Sequence, residues 1–284
     1  MYQLVDKATI GPNLTQYVIK APRIAKARKP GQFVIVRARE HSERIPLTVA
    51  FTDPNAGTIT LIVQTVGKST LEMSQFKKGQ AFLDVVGPMG MPSHIEKFGT
   101  VVVIGGGLGT AVVLPQALAL KELGNKIISI IGARTKNLLI LQDQLGAVSD
   151  ELIMTTDDGS FGRKGLVTDA LQRLIDNPEV SVDAVYCAGP VIMMKFVSLL
   201  TKKYHIPTVV SLNPIMVDGT GMCGGCRVTI GGETKFACVD GPEFDGHAVD
   251  YDELMDRLTT YKKYELQSLG KFEKEHQCKL HSKS

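Results

Sequence analysis

The stretch around residue 105 constrains this chain most. Val101-Val-Val-Ile104 is an unbroken apolar run that enters Gly105-Gly106-Gly107-Leu108-Gly109-Thr110. A helix-like stretch, Thr110–Leu123, follows and stops at Gly124, a natural C-terminal cap. A strand apolar on both faces belongs in a sheet covered on both sides, as parallel sheets are. The alternation continues to residue 212. Strands are expected at Lys126–Ile131, Glu151–Thr155, Ala184–Ala188 and Thr208–Leu212, with helices at Leu166–Asp176 and Val191–Lys203. Strands alternating with helices predict a doubly wound α/β unit over 99–212.

Residues 1–98 read differently. Short β-forming runs at Tyr17–Lys20, Gln32–Arg37, Leu47–Phe51, Thr58–Val66 and Ala81–Val86 are separated by turn residues such as Pro30-Gly31 and Asp53-Pro-Asn55. They predict a small all-β barrel, with one short helix at Ser69–Phe76. Residues 213–250 are glycine-rich and hold three of the five cysteines. Residues 251–284 predict a helix lying against the body, from Tyr251 to about Glu275, then a polar tail.

Composition narrows the function classes. A net charge of +3 on 284 residues makes no case for nucleic acid or an anionic membrane surface. No apolar run approaches a membrane span. The opening residues, MYQLVDKATIG, are too polar for an export signal. An odd cysteine count with three clustered does not form a disulfide framework, and a cytoplasmic location is expected.

Glycines at 105–109 let backbone approach a pyrophosphate, whose charge suits a helix start. The competing reading is a tight turn without a ligand. About twenty positions on, where an acidic ribose partner would stand, the chain reads Gly132-Ala-Arg134-Thr135. A second turn, Cys187-Ala188-Gly189-Pro190, also ends a strand and opens a helix, which places it at the same crevice. The Cys187 thiol itself reads rather as an inert core group, less so the backbone around it. In the barrel, Glu43-Arg44-Ile-Pro46-Leu47-Thr48 precedes a strand, and Gly67-Lys68-Ser69-Thr70 precedes a short helix. An arginine, hydroxyls and a helix start suit a second pyrophosphate.

The cysteines follow D-x4-C-x2-C-x11-C, with Asp218, Cys223, Cys226 and Cys238. Close thiolates among glycines suit an iron–sulfur centre. Asp218 stands where a plant-type pattern has its first cysteine. Three cysteines and a carboxylate also suit structural zinc, which would make the chain a nucleotide-binding interaction protein.

In order, R-x-P-L-T, G-K-S-T, Gly87-Pro-Met-Gly90, G-G-G-L-G-T, C-A-G-P and the cysteine cluster resemble the ferredoxin-reductase-like flavoproteins. The chain is similar to the branch holding the electron-transfer subunit of dihydroorotate dehydrogenase. Within it, it resembles the small subunits of NADH-dependent ferredoxin:NADP oxidoreductase, also called sulfide dehydrogenase. The resemblance implies an FAD-binding β-barrel, a doubly wound NAD(P)-binding domain and a small [2Fe-2S] module with a terminal helix. FAD contacts are implied at Arg44, Pro46, Leu47 and Thr48, at Val63 and Gln64, and at Gly67–Thr70. Arg44 lies one residue ahead of the family's arginine position, which Ile45 fills.

NAD(H) is implied at Gly105–Thr110, at Arg134 and at Cys187–Pro190. Cluster ligation is implied at Asp218, Cys223, Cys226 and Cys238. The residues alone leave NAD and NADP open, and NAD rests on the resemblance. The implied activity passes electrons from NADH through FAD to the cluster. The implied partner is a larger, glutamate-synthase-like iron–sulfur flavoprotein in an electron-bifurcating heterodimer that also serves ferredoxin. A dihydroorotate dehydrogenase or a hydrogenase is the alternative partner.

Overall fold

The computed structural model describes residues 2–281, with side chains up to 274. Met1 and 282–284, the end of the expected tail, lie outside the described residues. The first sheet comprises β1 (Tyr2–Gly11), β2 (Leu14–Lys20), β3 (Phe33–Arg37), β4 (Arg44–Asp53), β5 (Thr58–Gln64), β6 (Ala81–Phe82) and β7 (Asp84–Met89). Helices α1 (Pro22–Ala27) and α2 (Lys68–Ser74) lie between its strands. The order is β6-β1-β2-β5-β4-β3-β7, antiparallel throughout. Its end strands β6 and β7 are separated in sequence by Leu83 alone, so the sheet curls into a nearly closed barrel. Tyr17, Ile19, Ile59, Leu61, Val63 and Phe82 fill its interior.

Two elements were not expected here. Strand β1 buries only Leu4 and carries Asp6 and Lys7, so it lacks the alternation that marks a strand. Helix α1 is six residues long, too short for a helical period to show. The expected strand Ala81–Val86 is split at Leu83, which turns outward.

The second sheet is built from β8 (Thr100–Gly106), β9 (Lys126–Ala133), β10 (Glu151–Thr156), β11 (Arg163–Lys164), β12 (Ala184–Ala188), β13 (Thr208–Ser211) and a later strand. Helices α3 (Gly109–Glu122), α4 (Gln142–Val148), α5 (Val167–Ile175) and α6 (Val191–Lys203) cover it. Then come a hairpin, β14 (Arg227–Ile230) and β15 (Glu233–Phe236), the edge strand β16 (Glu243–Asp245), α7 (Tyr251–Arg257) and α8 (Lys262–His281). The order β11-β10-β9-β8-β12-β13-β16 is parallel except for β16.

The glycine-rich segment is therefore built into the second sheet. It supplies β16, and its Cys226, Val228, Ala237 and Cys238 share one core with Val102, Ile104 and Val210. The expected single terminal helix is two. The side chain of Asp250 caps α7 by accepting from Glu253 N at 2.9 Å, and a turn at 258–261 separates α7 from α8. Helix α4 was also unexpected.

Ala50 and Ile62 of the barrel pack in the same cluster as Val113, Leu114 and Ala117 of α3. This contact holds barrel and parallel sheet face to face. A buried polar junction fastens the third part. Glu243 Oε1 on β16 accepts from Ser93 Oγ at 2.8 Å and from Gln116 Nε2 of α3 at 2.6 Å. Burial raises the Glu243 carboxyl, and those two hydrogen bonds oppose the rise. Among the described residues, no helix is long and apolar enough to cross a membrane.

Candidate functional site

An open cleft of about 1300 Å³ lies between the barrel and the carboxyl ends of the parallel strands. One small ligand fills roughly 300–1,000 Å³, so the cleft has room for two cofactors that meet. The barrel side presents Pro46, Leu47 and Thr48 from β4, with Ile62 and Gln64 from β5. Facing them are Gly106–Gly109, Gly132–Arg134 and Ala188–Pro190. All three are turns after parallel strands, where ligand crevices form in such sheets.

The glycines divide into two kinds. A Cβ on Gly109 would lie 2.1 Å from the Ala188 carbonyl oxygen, and one on Gly105 2.6 Å from Thr110 Cα. A Cβ on Gly106 or Gly189 would strike Met193, at 2.4 and 2.5 Å. Gly105 leaves room for the start of α3, and the other three for the packing of the β8 and β12 turns against each other and against α6. Gly107 differs: its φ is +53° and a Cβ there would meet open space. Three N–H groups of the loop are already used. Gly107 N bonds Gly132 O at 2.9 Å, Thr110 N bonds Gly107 O at 3.2 Å, and Ala111 N bonds Leu108 O at 3.0 Å. The N–H groups of Leu108 and Gly109 remain for an anion at the helix start.

Other expected residues sit behind the cleft walls. Thr110 is wholly buried, its hydroxyl without a partner. Cys187 is enclosed in β12, and burial pushes its thiol far up, so it acts as a packing group. The Val63 side chain does not line the cleft. It is 1% exposed inside the barrel, and strand alternation hands the cleft to Ile62 and Gln64. Arg44 is exposed at the start of β4, outside the walls.

Gly67–Thr70 also lies outside them. There the Thr70 hydroxyl accepts from Val66 N and Gly67 N at 3.0 and 3.1 Å, and Ser69 Oγ donates to the Glu43 carboxylate. Lys68 opens α2 beside them. The Thr70 hydroxyl shapes its own turn, and Ser69 ties that turn to the loop before β4.

Arg134 lines the cleft as expected, and Asp157 joins it there. Asp157 N bonds Ala133 O at 3.1 Å, and Asp158 N bonds Arg134 O at 3.3 Å, so the turns after β9 and β10 are stitched together. No sequence motif marks Asp157 as a site residue. The available signal was its place at the end of a parallel strand. Beyond it, Thr168, Asp169 and Gln172 of α5 and Phe196, Leu199 and Lys203 of α6 extend the cleft.

The cysteine segment gathers two of its four expected ligands. Cys226 and Cys238 are buried with Sγ atoms 3.1 Å apart, and Gly221 N donates to Cys238 Sγ at 3.2 Å. Burial, then the neighbouring Cys226 thiol, pushes the Cys238 thiol up. Cys223 is exposed on the same loop. Asp218 Oδ2 accepts from Thr220 N at 3.1 Å and Met222 N at 3.2 Å, and Thr220 Oγ1 donates to Oδ1 at 2.8 Å. The Thr220 hydroxyl, then these N–H groups, hold the Asp218 carboxyl below the usual range, so it is an anionic oxygen donor.

Among the described residues, no three His, Cys, Asp or Glu side chains converge as a metal group. The donor set nonetheless fits an iron–sulfur centre. It offers paired soft sulfurs, an N–H aimed at sulfur, and an ionised carboxylate, on a loop whose turns at Gly219 and Gly221 have φ +83° and +82°.

Residues 213–250 match the iron-sulfur cluster binding domain of dihydroorotate dehydrogenase B. The dihydroorotate dehydrogenase B electron transfer subunit homolog of Thermotoga maritima is 51% identical over 270 residues, 95% of either chain. The chain belongs to the dihydroorotate dehydrogenase B electron-transfer subunit family. A family member from Desulforamulus reducens, named as the electron transfer subunit of dihydroorotate dehydrogenase B, is 33% identical over 86% of this chain and 95% of its own length. The family resemblance extends to a solved structure of an NADH-dependent reduced ferredoxin–NADP oxidoreductase, studied for flavin-based electron bifurcation. It superposes with a TM-score of 0.90 at 50% identity, over 96% of this chain and 98% of that one.

Proposed function

We propose that this chain moves electrons between NADH and a partner subunit, using FAD on the barrel and a [2Fe-2S] cluster on the cysteine loop. The observation that carries this reading is the single cleft in which β4 of the barrel faces the glycine turns of the parallel sheet. When bound, FAD exchanges electrons in pairs or singly, which links hydride chemistry to a one-electron cluster. The chain's own residues bind, orient and shield.

Pro46–Thr48, with Ile62 and Gln64, form the flavin wall. Gly107, Leu108 and Gly109 take the NADH pyrophosphate, the N–H groups supplying the charge complement. Asp157 accepts the hydroxyls of the adenosine ribose, which favours NADH, since a 2′-phosphate would meet its negative charge. Arg134 lies beside it against the phosphates. The turn Ala188–Pro190 closes the nicotinamide end. Asp218, Cys223, Cys226 and Cys238 hold the cluster.

The functional division we propose is 1–98 for flavin, 99–212 for NAD(H), 213–250 for the cluster and 251–284 as a terminal helix and tail. The partner is a larger, glutamate-synthase-like iron–sulfur flavoprotein in a heterodimer that couples NADH, NADPH and ferredoxin. The similarity to the bifurcating oxidoreductase supports this assembly. A reducing cytoplasm suits the reduced thiols.

The names of the other relatives favour a second partner, the catalytic subunit of dihydroorotate dehydrogenase. Anaerobic purification tests the reading. It expects a brown protein with flavin, iron and sulfide and with NADH–ferricyanide activity. A colourless protein containing zinc overturns it.

A further inference from the structure

Resting on that assignment of flavin to the barrel and cluster to the cysteine loop, we propose that Gly87-Pro88-Met89-Gly90 fixes their separation, with Met89 as the positioning residue. None of these four residues lines the cleft. The motif ends β7, which pairs with β3 on the side away from β4. Phe33 of β3 stands opposite Thr48 of the flavin wall on one side and Met89 on the other, and it lines the cleft. Neighbouring strands lie about 4.8 Å apart, so the Met89 backbone is two spacings, roughly 10 Å, from that of Thr48.

The motif meets the cysteine segment at two points. A Cβ on Gly219 would lie 2.5 Å from Met89 Sδ and 2.8 Å from Ile35 Cγ1, so the loop rests directly on the barrel there. Gly219 immediately follows Asp218, one of the proposed ligands. A Cβ on Gly90 would lie 2.9 Å from Pro242 Cδ and 3.0 Å from both Gly241 O and Phe33 Cε1. Met91 N also donates to Gly241 O at 2.6 Å. Gly241 and Pro242 come shortly after Cys238, so the segment is held at both ends, beside Asp218 and beyond Cys238.

The space between flavin wall and loop is packed. Phe33 and Ile35 share one core with Met216, Cys226 and Cys238, and Met89 packs against it. An unbranched thioether suits such an irregular junction. The step concerned moves one electron from flavin to cluster, oxidising the first and reducing the second, with no bond made or broken. Its rate falls exponentially with distance, and faster across a gap than through packed atoms. A contact that sets this distance governs that step and not the hydride step before it.

The test mixes the full chain, loaded with FAD, iron and sulfide, with NADH under anaerobic conditions. Flavin bleaching follows the hydride step, and the cluster's paramagnetic resonance signal after rapid freezing follows the electron step. Met89→Ala removes the thioether on which Gly219 rests, and Met89→Leu keeps most of its volume. Met89→Ala should retain wild-type iron content, cluster potential and flavin bleaching. Its cluster signal should appear at least ~10-fold more slowly, the scale of loss expected for a misplacement of about 1 Å. Met89→Leu should restore the rate to near wild type.

A cluster signal that appears at the wild-type rate in Met89→Ala overturns the positioning role, whatever the melting midpoint, and leaves the electron-transfer reading standing. Lost iron or a shifted potential overturns it too, since Met89 would then belong to the cluster's own binding. A Met89→Leu protein as slow as Met89→Ala does the same, because the packing argument needs volume and not sulfur. A wild-type protein in which NADH bleaches no flavin or reduces no cluster overturns the electron-transfer reading and the motif's role with it.

Discussion

Replacing Gly109 and Gly107 separately by alanine should split folding from nucleotide binding. At Gly109 the new Cβ would sit 2.1 Å from the Ala188 carbonyl oxygen, against an ordinary contact near 3.4–4 Å. The obstacle is backbone in the buried strand β12, so the β8 and β12 turns must part by more than 1 Å. Overpacking of this kind costs roughly 3 kcal/mol or more. At about 2–4 °C per kcal/mol for a domain of this size, the melting midpoint should fall by roughly 6–12 °C. Gly107 meets no such obstacle, and alanine there carries only the left-handed backbone penalty of about 1–2 kcal/mol.

The Gly107 methyl would project from a loop that lines the cleft. Gly107→Ala should therefore melt within a few degrees of wild type but raise the KM for NADH about tenfold, the size of a lost phosphate contact. Thermal scans and NADH–ferricyanide kinetics on the flavin-loaded protein read both effects. A Gly109→Ala protein that melts like wild type would refute the packing argument. An unchanged KM in Gly107→Ala would refute the pyrophosphate assignment.

Other outcomes follow from the same contacts. Cys226→Ser or Cys238→Ser should lose most of the iron. Asp218→Cys should keep it while changing the paramagnetic resonance spectrum, and an unchanged spectrum and potential would remove Asp218 from the ligand set. Asp157→Asn should lower kcat/KM for NADH about tenfold and raise it for NADPH, because the anion that accepts ribose hydroxyls and repels a 2′-phosphate is gone. Equal losses with both nucleotides would reject that role.

Glu243 binds its proton more tightly folded than unfolded, so its contribution to stability is full below the ordinary carboxyl value and is lost as pH rises through the raised one. Glu243→Gln keeps an oxygen to accept from Ser93 and Gln116 and should flatten stability against pH above about 4.5. An unchanged pH profile would show that Glu243 does not titrate there.

Periodicity located the parallel sheet because Val101–Ile104 and its companions are buried on both faces, so the pattern needs no knowledge of neighbours. Most barrel strands were legible for the related reason that one face is apolar. Strand β1 was hidden because its pairing is made by backbone, which leaves no trace in side chains. The candidate site was legible in type and only partly in position. Glycines at 105–109 announced a tight turn, yet which were needed for packing and which left space depended on where β12 and Met193 came to lie.

Val63 and Ile62 are adjacent in sequence and point to opposite sides of one strand, and only the closed barrel says which side is the cleft. Asp157 carries no local mark; the order β10-β9-β8 brings it beside Arg134. Local chemistry, set by residue type and spacing, was determined by the chain alone: a glycine turn before a helix, and three thiols with one carboxylate in register. Convergence was decided by the tertiary structure, because residues distant in sequence meet only once barrel and sheet pack across α3. The same packing set the place of the cysteine loop, tied to the parallel sheet through β16 and Glu243.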